Sequence, residues 1–210
     1  MLVGASFLPF LLTSEHYSGL DLDLIEFLKD ARLADYLTFY FKGINSIGKK
    51  AVWPAYLALV IGGSLNIGGA GSFQALGAAI TSIFIGKIVD NQNRSRVIIG
   101  SVIIASGTYI LMSFVTVPVT AFIVSLLNGL SYTAASVPIY SSALDHAEQE
   151  DLIEYFAVRE FALGLGRVSI LLLALGFFTL LEGEMKFLAS FSSIALSVLA
   201  AGYFGSQMQK

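Results

Sequence analysis

The chain has 210 residues, of which 56% are hydrophobic and only 13% are charged, and its mean hydropathy is +0.77. A soluble domain carries about 25% charged residues, and the apolar residues here form blocks long enough to cross a bilayer, which predicts an integral membrane protein. The absence of cysteine excludes disulfides, thiol catalysis and thiolate metal sites. The two histidines, His16 and His146, lie far apart, so we expect neither a metal nor a cofactor, and the net charge of -3 argues against nucleic acid as a partner.

The first 35 residues differ in character from the remainder of the chain. Residues 1–13, MLVGASFLPFLLT, are apolar but too short to span a membrane. A signal peptide is one interpretation, but the stretch lacks a basic n-region and a clear cleavage site, so we favour the end of a preceding transmembrane helix. Residues 14–35 are polar and acidic, with their leucine and isoleucine residues roughly on one helical face, and this pattern predicts a cytoplasmic amphipathic linker.

Residues 36–205 are predicted to form a bundle of six transmembrane helices, followed by a polar tail at 206–210. The predicted fold class is therefore an all-α integral membrane protein. The glycine-rich stretch 64–72 is predicted to be a turn between the first two spans. The first span has two interpretations: one long helix, or a shorter span that begins near Ala51 after a surface segment. The predicted spans are 36–62, 73–90, 96–115, 119–141, 157–180 and 187–205.

The distribution of lysine and arginine predicts the orientation of these spans. Basic residues collect on the side that holds the loops 87–96 and 142–156, whereas the opposite side holds only Lys186. Because loops rich in lysine and arginine stay in the cytoplasm, we expect both loops to be cytoplasmic and the chain to lie in the plasma (inner) membrane.

The segment between the second and third spans carries Gly86, Asp90, Arg94 and Arg96 at a regular spacing. This pattern resembles the signature loop of the major facilitator superfamily, with the glycine, the aspartate and the first arginine in register. The resemblance implies a conformational latch between two halves of a transporter. Physically, Gly86 would allow a close helix approach, Asp90 would accept hydrogen bonds from a helix N-terminus, and the two arginines would pair with Asp90 or with lipid phosphates. An ordinary positive-inside loop is the alternative.

Three further segments extend the resemblance to residues 36–205, and the first of them, residues 35–64, is similar to the family's first or seventh helix. Residues 125–145 resemble the family's fourth-span signature, with Asn128 and Gly129 in the place of its Gln-Gly pair and Ser125 in the place of its arginine. Residues 155–176 resemble its fifth or eleventh helix and contain an ion pair, Arg159 and Glu160, near the interface. One six-helix half of a twelve-helix transporter is present, which implies the C-terminal half, or a stand-alone half, that works with a missing N-terminal half or a homodimer partner.

Charged and polar residues within the spans are candidates for a substrate cavity. A charge at membrane depth costs about 2.5 to 3.5 kcal/mol, so Arg167 and Lys42 are expected to bind an anionic group, to form a structural ion pair, or to reach the interface. Lys49 either shares a polar helix face with Lys42 or caps a span that begins at Ala51. Asn45 lies on the same predicted polar face as Lys42 and Lys49, whereas Asn128 and Tyr132 either contact the solute or form interhelical hydrogen bonds. The candidates are Arg167, Lys42, Asn45, Lys49, Asn128 and Tyr132.

The sequence therefore predicts a secondary transporter that moves a small solute by alternating access, with the lipid bilayer and the solute as its partners. We expect no enzymatic activity, because no catalytic constellation is evident and the acidic residues of the 142–156 loop fit a solvated loop. The alternative is a non-transporting helical membrane module, a scaffold or sensor, derived from half of the same fold.

Overall fold

The computed structural model describes residues 33–91, 94–148 and 152–208, apart from the side chains at 87–91, 152 and 154. Within these ranges the chain is helical and contains no strand. The predicted all-α class is thus confirmed for the described residues. The apolar stub at 1–13 and residues 14–32 of the predicted linker lie outside them.

The first element is a long helical rod that alternates between α-helical and π-helical winding. Three changes of winding occur: helix α1 (Leu33–Ile47) continues into a π-helical segment (Gly48–Val52), then one α-helical turn, α2 (Trp53–Tyr56), and then a second π-helical segment (Leu57–Ile61). We call residues 33–61 the first rod. The rod ends where Gly62 and Gly63 adopt φ values of 75° and 79°, a backbone conformation that favours glycine.

Five further helices complete the described chain: α3 (Ser64–Asn91), α4 (Arg94–Met112), α5 (Pro118–Ala147), α6 (Leu152–Leu180) and α7 (Met185–Gln207). Each contains a stretch long and apolar enough to cross a membrane, which indicates an integral membrane protein. The described structure therefore has five such helices and the first rod where the sequence predicted six spans. These stretches are Ser64–Gly86, Arg94–Met112, Pro118–Ala147, Tyr155–Leu180 and Met185–Gln207.

The predicted turn at 64–72 is wrong, because helix α3 already begins at Ser64. The change of direction needs only the two glycines with positive φ, and the Asn66 side chain donates from Nδ2 to the carbonyl oxygen of Gly62 at 2.7 Å. Gly69 then faces the ring of Phe122, which a Cβ at that position would approach to 2.7 Å. Gly69 therefore serves helix packing, and the stretch is part of a helix rather than a loop. At the other end of the first rod, α1 begins at Leu33 and so includes the last residues of the predicted linker.

Most helices pack mainly against helices that are not their neighbours in sequence, and α4 is the exception because it also packs closely on α5. In space they follow the order α3, α5, α4, α7, first rod, α6, with consecutive members in contact. The buried core includes Phe39, Tyr56, Tyr109 and Phe191, while large apolar side chains such as Leu172 are exposed on the outside. An apolar exterior on helices of this length is the surface that lipid covers.

The first rod crosses α6 at a contact between two glycines. A Cβ on Gly43 would strike the carbonyl oxygen of Leu163, and a Cβ on Gly166 would strike the carbonyl oxygen of Tyr40. Each glycine therefore faces the carbonyl three residues before the glycine of the other helix. Small residues let helix backbones approach in this way.

Helices α3 and α5 cross with the same geometry. A Cβ on Gly77 would strike the carbonyl oxygen of Leu126, and a Cβ on Gly129 would strike that of Gln74. Again each glycine faces the carbonyl three residues before its counterpart. The two crossings are thus equivalent when the first rod is matched with α5, and α6 with α3.

The other main helix contacts follow the same correspondence. It relates one unit of three helices, the first rod, α3 and α4, to a second unit, α5, α6 and α7. The contact of α4 with α5 corresponds to that of α7 with the first rod, and the contact of α4 with α7 corresponds to itself. Short connections between helices of a bundle make neighbours in sequence antiparallel. A unit of three helices therefore starts on one side and ends on the other, so the second unit is inverted relative to the first.

Candidate functional site

Lys42 is the most unusual side chain in the described structure. It lies in α1 with only 3% of its surface exposed, and its Nζ is 3.7 Å from the centroid of the Tyr140 ring on α5. Among the described residues this buried ammonium has no hydrogen-bond acceptor. A desolvated cation–π contact supplies about 2 kcal/mol, but it leaves the three N–H donors without acceptors.

Arg159, on α6, approaches the same ring. Its Cζ lies 5.2 Å from the centroid of Tyr140 and 5.3 Å from those of Phe39 and Phe156, and its buried Nε has no partner within the described ranges. The ion pair predicted between Arg159 and Glu160 is present, with 3.7 Å between Nη2 and Oε1. That distance is too long for a hydrogen bond.

We call Lys42, Arg159, Tyr140, Phe39 and Phe156 the cationic cluster. Two side chains that carry positive charge share one tyrosine ring, and phenylalanine rings surround the guanidinium. Lys42 Nζ and Arg159 Nε are both buried. None of the described residues neutralises the positive charge of these side chains at hydrogen-bond distance. Unsatisfied buried polar groups of this kind mark functional sites.

A second contact between a lysine and a tyrosine ring lies further along the first rod. Lys49 Nζ lies 3.5 Å from the ring centroid of Tyr132 on α5. Lys42 and Lys49 are seven residues apart on the first rod, and their tyrosines are eight residues apart on α5 in the reverse order, so a line of tyrosines faces a line of lysines. The sequence left open whether Lys42 lies on a surface segment, and its burial in a continuous rod favours the one-helix interpretation.

The amide side chains among the candidates are already occupied by protein contacts. Asn45 Oδ1 accepts a hydrogen bond from the Tyr109 hydroxyl at 2.5 Å. Asn128 accepts from Gln74 Nε2 at 2.7 Å and donates from Nδ2 to Thr108 Oγ1 at 2.9 Å, which joins α3, α5 and α4. Both asparagines therefore join helices, and for Asn128 this is the interhelical hydrogen bonding of the packing alternative.

Arg167 lies apart from the cationic cluster. It is half-buried on α6, next to Gly166, and two helical turns beyond Arg159. In the described ranges no hydrogen bond, ion pair or cation–π contact joins it to another residue. The structure thus assembles Lys42 with Arg159, which the sequence had assigned to an interface ion pair, rather than with Arg167.

The predicted latch residues form one defined contact. Arg94 Nη1 lies 2.8 Å from Asp145 Oδ2, so the ion pair ties the start of α4 to the end of α5. Arg96 is exposed, and the Asp90 side chain lies outside the described residues. A Cβ on Gly86 would meet none of the described residues within 4 Å, so the structure does not show the close helix approach that was expected there.

Sequence reasoning missed a buried network at this end of the bundle. Asp35 Oδ2 accepts a hydrogen bond from the Tyr155 hydroxyl at 2.8 Å and lies 2.7 Å from His146 Nδ1. Asp35 Oδ1 is buried and has no partner in the described part of the chain. The sequence had placed Asp35 in the linker and His146 in a solvated loop. One signal was available: Asp35 lies seven residues before Lys42, on the same helical face.

No group of three or more histidine, aspartate or glutamate side chains that would suit a metal ion occurs among the described residues. No protein-family model, curated protein or solved structure matches this chain. The arrangement itself therefore carries the functional argument. It combines two inverted three-helix units with positive charge that is buried between the first rod, α5 and α6.

Proposed function

We propose that this chain is half of a secondary transporter of the major facilitator type and moves a small solute by alternating access. The observation that carries the proposal is the match between the two three-helix units, including their equivalent glycine crossings. Transporter folds are commonly built from inverted repeats, with the solute bound near the repeat interface at membrane depth. The loop and span patterns that resemble this family fall on the same helices.

The location of the charges supports the same proposal. Intramembrane lysine and arginine are costly and typically face a bundle interior or a water-filled path. Lys42 and Lys49 lie on the first rod and Arg159 on α6, and all three contact aromatic rings rather than acidic residues at hydrogen-bond distance. A second half, or a second copy of this chain, would complete the cavity around these residues.

The latch contact fits a bundle that must change its conformation. The Arg94–Asp145 pair is about half exposed, and exposed ion pairs contribute only about 0.2 to 1 kcal/mol. Such a pair can be broken and formed again at little cost. The glycine crossings, in contrast, pack backbone against backbone, so each crossed pair of helices is expected to move as a unit.

The experiment uses the absence of cysteine from this chain, because an introduced cysteine is then its sole thiol. Ser136 lies on α5 between Tyr132 and Tyr140, at spacings of four residues. The variant Ser136→Cys would be expressed in the native membrane and treated with a membrane-impermeant maleimide from either side. Leu172→Cys, at an exposed position on the apolar surface of α6, is the control.

Alternating access predicts that the Ser136→Cys thiol reacts from both sides, whereas the Leu172→Cys thiol, covered by lipid, reacts from neither. Uptake of a labelled solute panel by the same membranes would then identify what is moved. A Ser136→Cys thiol that reacts from one side only, or from neither, would contradict transport and favour the scaffold or sensor alternative.

A further inference from the structure

We propose that the cationic cluster is a binding site for an oxyanion, a carboxylate or a phosphate, held by Lys42 and Arg159 beside the Tyr140 ring. This inference rests on the proposed function, and it assigns the solute to the anions. It differs from the sequence-based expectation, because Arg159 takes the place of Arg167 as the second cation.

The two cations have hydrogen-bond donors without acceptors among the described residues. Lys42 Nζ and Arg159 Nε are both buried without a partner in the described part of the chain. An ammonium and a guanidinium offer only donors, and both prefer charged oxygen acceptors. A carboxylate or phosphate supplies several acceptor oxygens at once, which a neutral hydroxyl or amide does not.

The described acidic side chains nearest to the cluster, Glu160 and Asp35, do not pair with Lys42. Glu160 is the acid paired with Arg159, but it stands 3.7 Å away with its side chain 58% exposed. Asp35 already binds His146 and Tyr155 through Oδ2, and it lies two turns of α1 from Lys42, or about 10 Å along the axis. Neither carboxylate therefore neutralises the buried ammonium.

Aromatic rings lie around the two cations. The rings of Phe39, Phe156 and Tyr140 surround the guanidinium within 5.3 Å of its Cζ. Removal of water strengthens the attraction between opposite charges. The charges of Lys42 and Arg159 repel a cation, and a neutral solute cannot compensate them, so the oxyanion is the class of ligand that fits.

Glu160 has a defined role in this arrangement. As the only acid paired with Arg159 in the described structure, it competes with an incoming anion. Glu160→Gln retains the shape of the side chain and removes its charge. We therefore expect this variant to bind the anion more tightly than the wild-type chain, by about two- to fivefold, as befits a weak, half-exposed ion pair.

The test is titration calorimetry of the full chain in nanodiscs of zwitterionic lipid at constant ionic strength, with succinate and inorganic phosphate as probes. Lys42→Gln and Arg159→Gln are each expected to weaken binding about tenfold or more, because each removes a charge-assisted hydrogen bond. Lys50→Gln is the matched control, since Lys50 lies on the same rod but is exposed. Its affinity is expected to equal that of the wild-type chain.

A parallel arm distinguishes a free anion from a lipid headgroup. If neither probe binds, but nanodiscs with phosphatidylglycerol raise the melting temperature of the wild-type chain and not of Lys42→Gln, the site exists and its oxyanion belongs to lipid. Affinity that Lys42→Gln, Arg159→Gln and Glu160→Gln all leave unchanged would overturn the site. The Glu160→Gln result is informative even where a cationic variant fails to fold, because a gain in affinity does not arise from misfolding.

This test and that of the proposed function can fail separately. A Ser136→Cys thiol reached from both sides, together with no binding of either probe or of anionic lipid, would leave transport standing and remove the oxyanion site. Saturable binding that depends on Lys42, together with a thiol that is reached from neither side, would retain the site and remove transport.

Discussion

Replacement of Lys42 by methionine should make the protein more stable. Methionine is unbranched, flexible and close to lysine in length, so it can fill the same space beside Tyr140 without a cavity. The substitution removes a buried ammonium that has no hydrogen-bond acceptor among the described residues. It also removes the repulsion between that ammonium and Arg159, whose Cζ lies 5.2 Å from the same ring centroid.

The magnitude follows from two opposing contributions. A lysine at membrane depth costs about 2.5 to 3.5 kcal/mol on insertion scales, and the cation–π contact with Tyr140 at 3.7 Å returns about 2 kcal/mol. The difference, about 0.5 to 1.5 kcal/mol, is the stability that Lys42→Met should gain. For a chain of this size, that gain raises the melting temperature by about 2 to 4 °C per kcal/mol.

The assay is thermal unfolding in detergent micelles, followed by the fluorescence of Trp53. This is the only tryptophan of the chain, it is buried in the first rod, and its Nε1 donates to Ser125 on α5 at 3.1 Å. Its emission therefore reports separation of these two helices. Lys50→Met, at an exposed position of the same rod, is the control and should change stability by less than about 0.5 kcal/mol.

A loss of more than about 1 kcal/mol in Lys42→Met, with the control unchanged, would refute the reasoning. It would mean that the ammonium gains more from its surroundings than the ring contact supplies. A gain in stability with a simultaneous loss of anion binding would instead place Lys42 among residues kept for function at the expense of stability.

Three further predictions concern packing and polar contacts. Gly166→Ala should destabilise the protein by about 1 to 3 kcal/mol through backbone overlap. Gly164→Ala is the control: a Cβ there meets none of the described residues within 4 Å, so it should be neutral or stabilising by up to about 1 kcal/mol. Equal effects of the two variants in thermal unfolding would contradict the close crossing. Tyr109→Phe should cost about 1 to 3 kcal/mol, because it leaves the buried Asn45 Oδ1 without its donor; an unchanged melting temperature would show that another group satisfies this oxygen. Arg94→Ala removes only a half-exposed ion pair, so its unfolding free energy should fall by less than about 1 kcal/mol, and a larger loss would mean that the latch is structural.

The apolar helices were the part of the structure that the sequence predicted best. Long apolar runs give a strong signal because each must cover a whole helix, and the helices predicted at 96–115, 157–180 and 187–205 agree with α4, α6 and α7 to within a few residues. The glycine-rich stretch 64–72 was misjudged because glycine is typical of turns and of close helix contacts alike. Only the position of Phe122, far along the chain, distinguishes the two roles.

The candidate site was predicted only in part, because its pairs form between distant helices. Lys42 and Lys49 were identified from their depth in an apolar segment, but nothing local shows that Tyr140 and Tyr132 lie beside them. Arg167 was preferred to Arg159 because it lies deeper in its span, whereas the structure puts the shallower arginine beside the buried lysine. Depth along one helix can be read from sequence, and the choice of partner helix cannot.

The lysine-bearing first rod has a consequence for the biosynthesis of the chain. Five helices are long and apolar enough to cross a membrane. The first rod carries Lys42, Lys49 and Lys50, and each lysine adds to the free energy of its insertion. The aromatic rings that cover Lys42 and Lys49 belong to α5, which the ribosome completes only after α3 and α4. In a membrane-inserted bundle, the lysines of the earliest described segment are therefore shielded only after a later helix, α5, has been synthesised and has packed against the first rod.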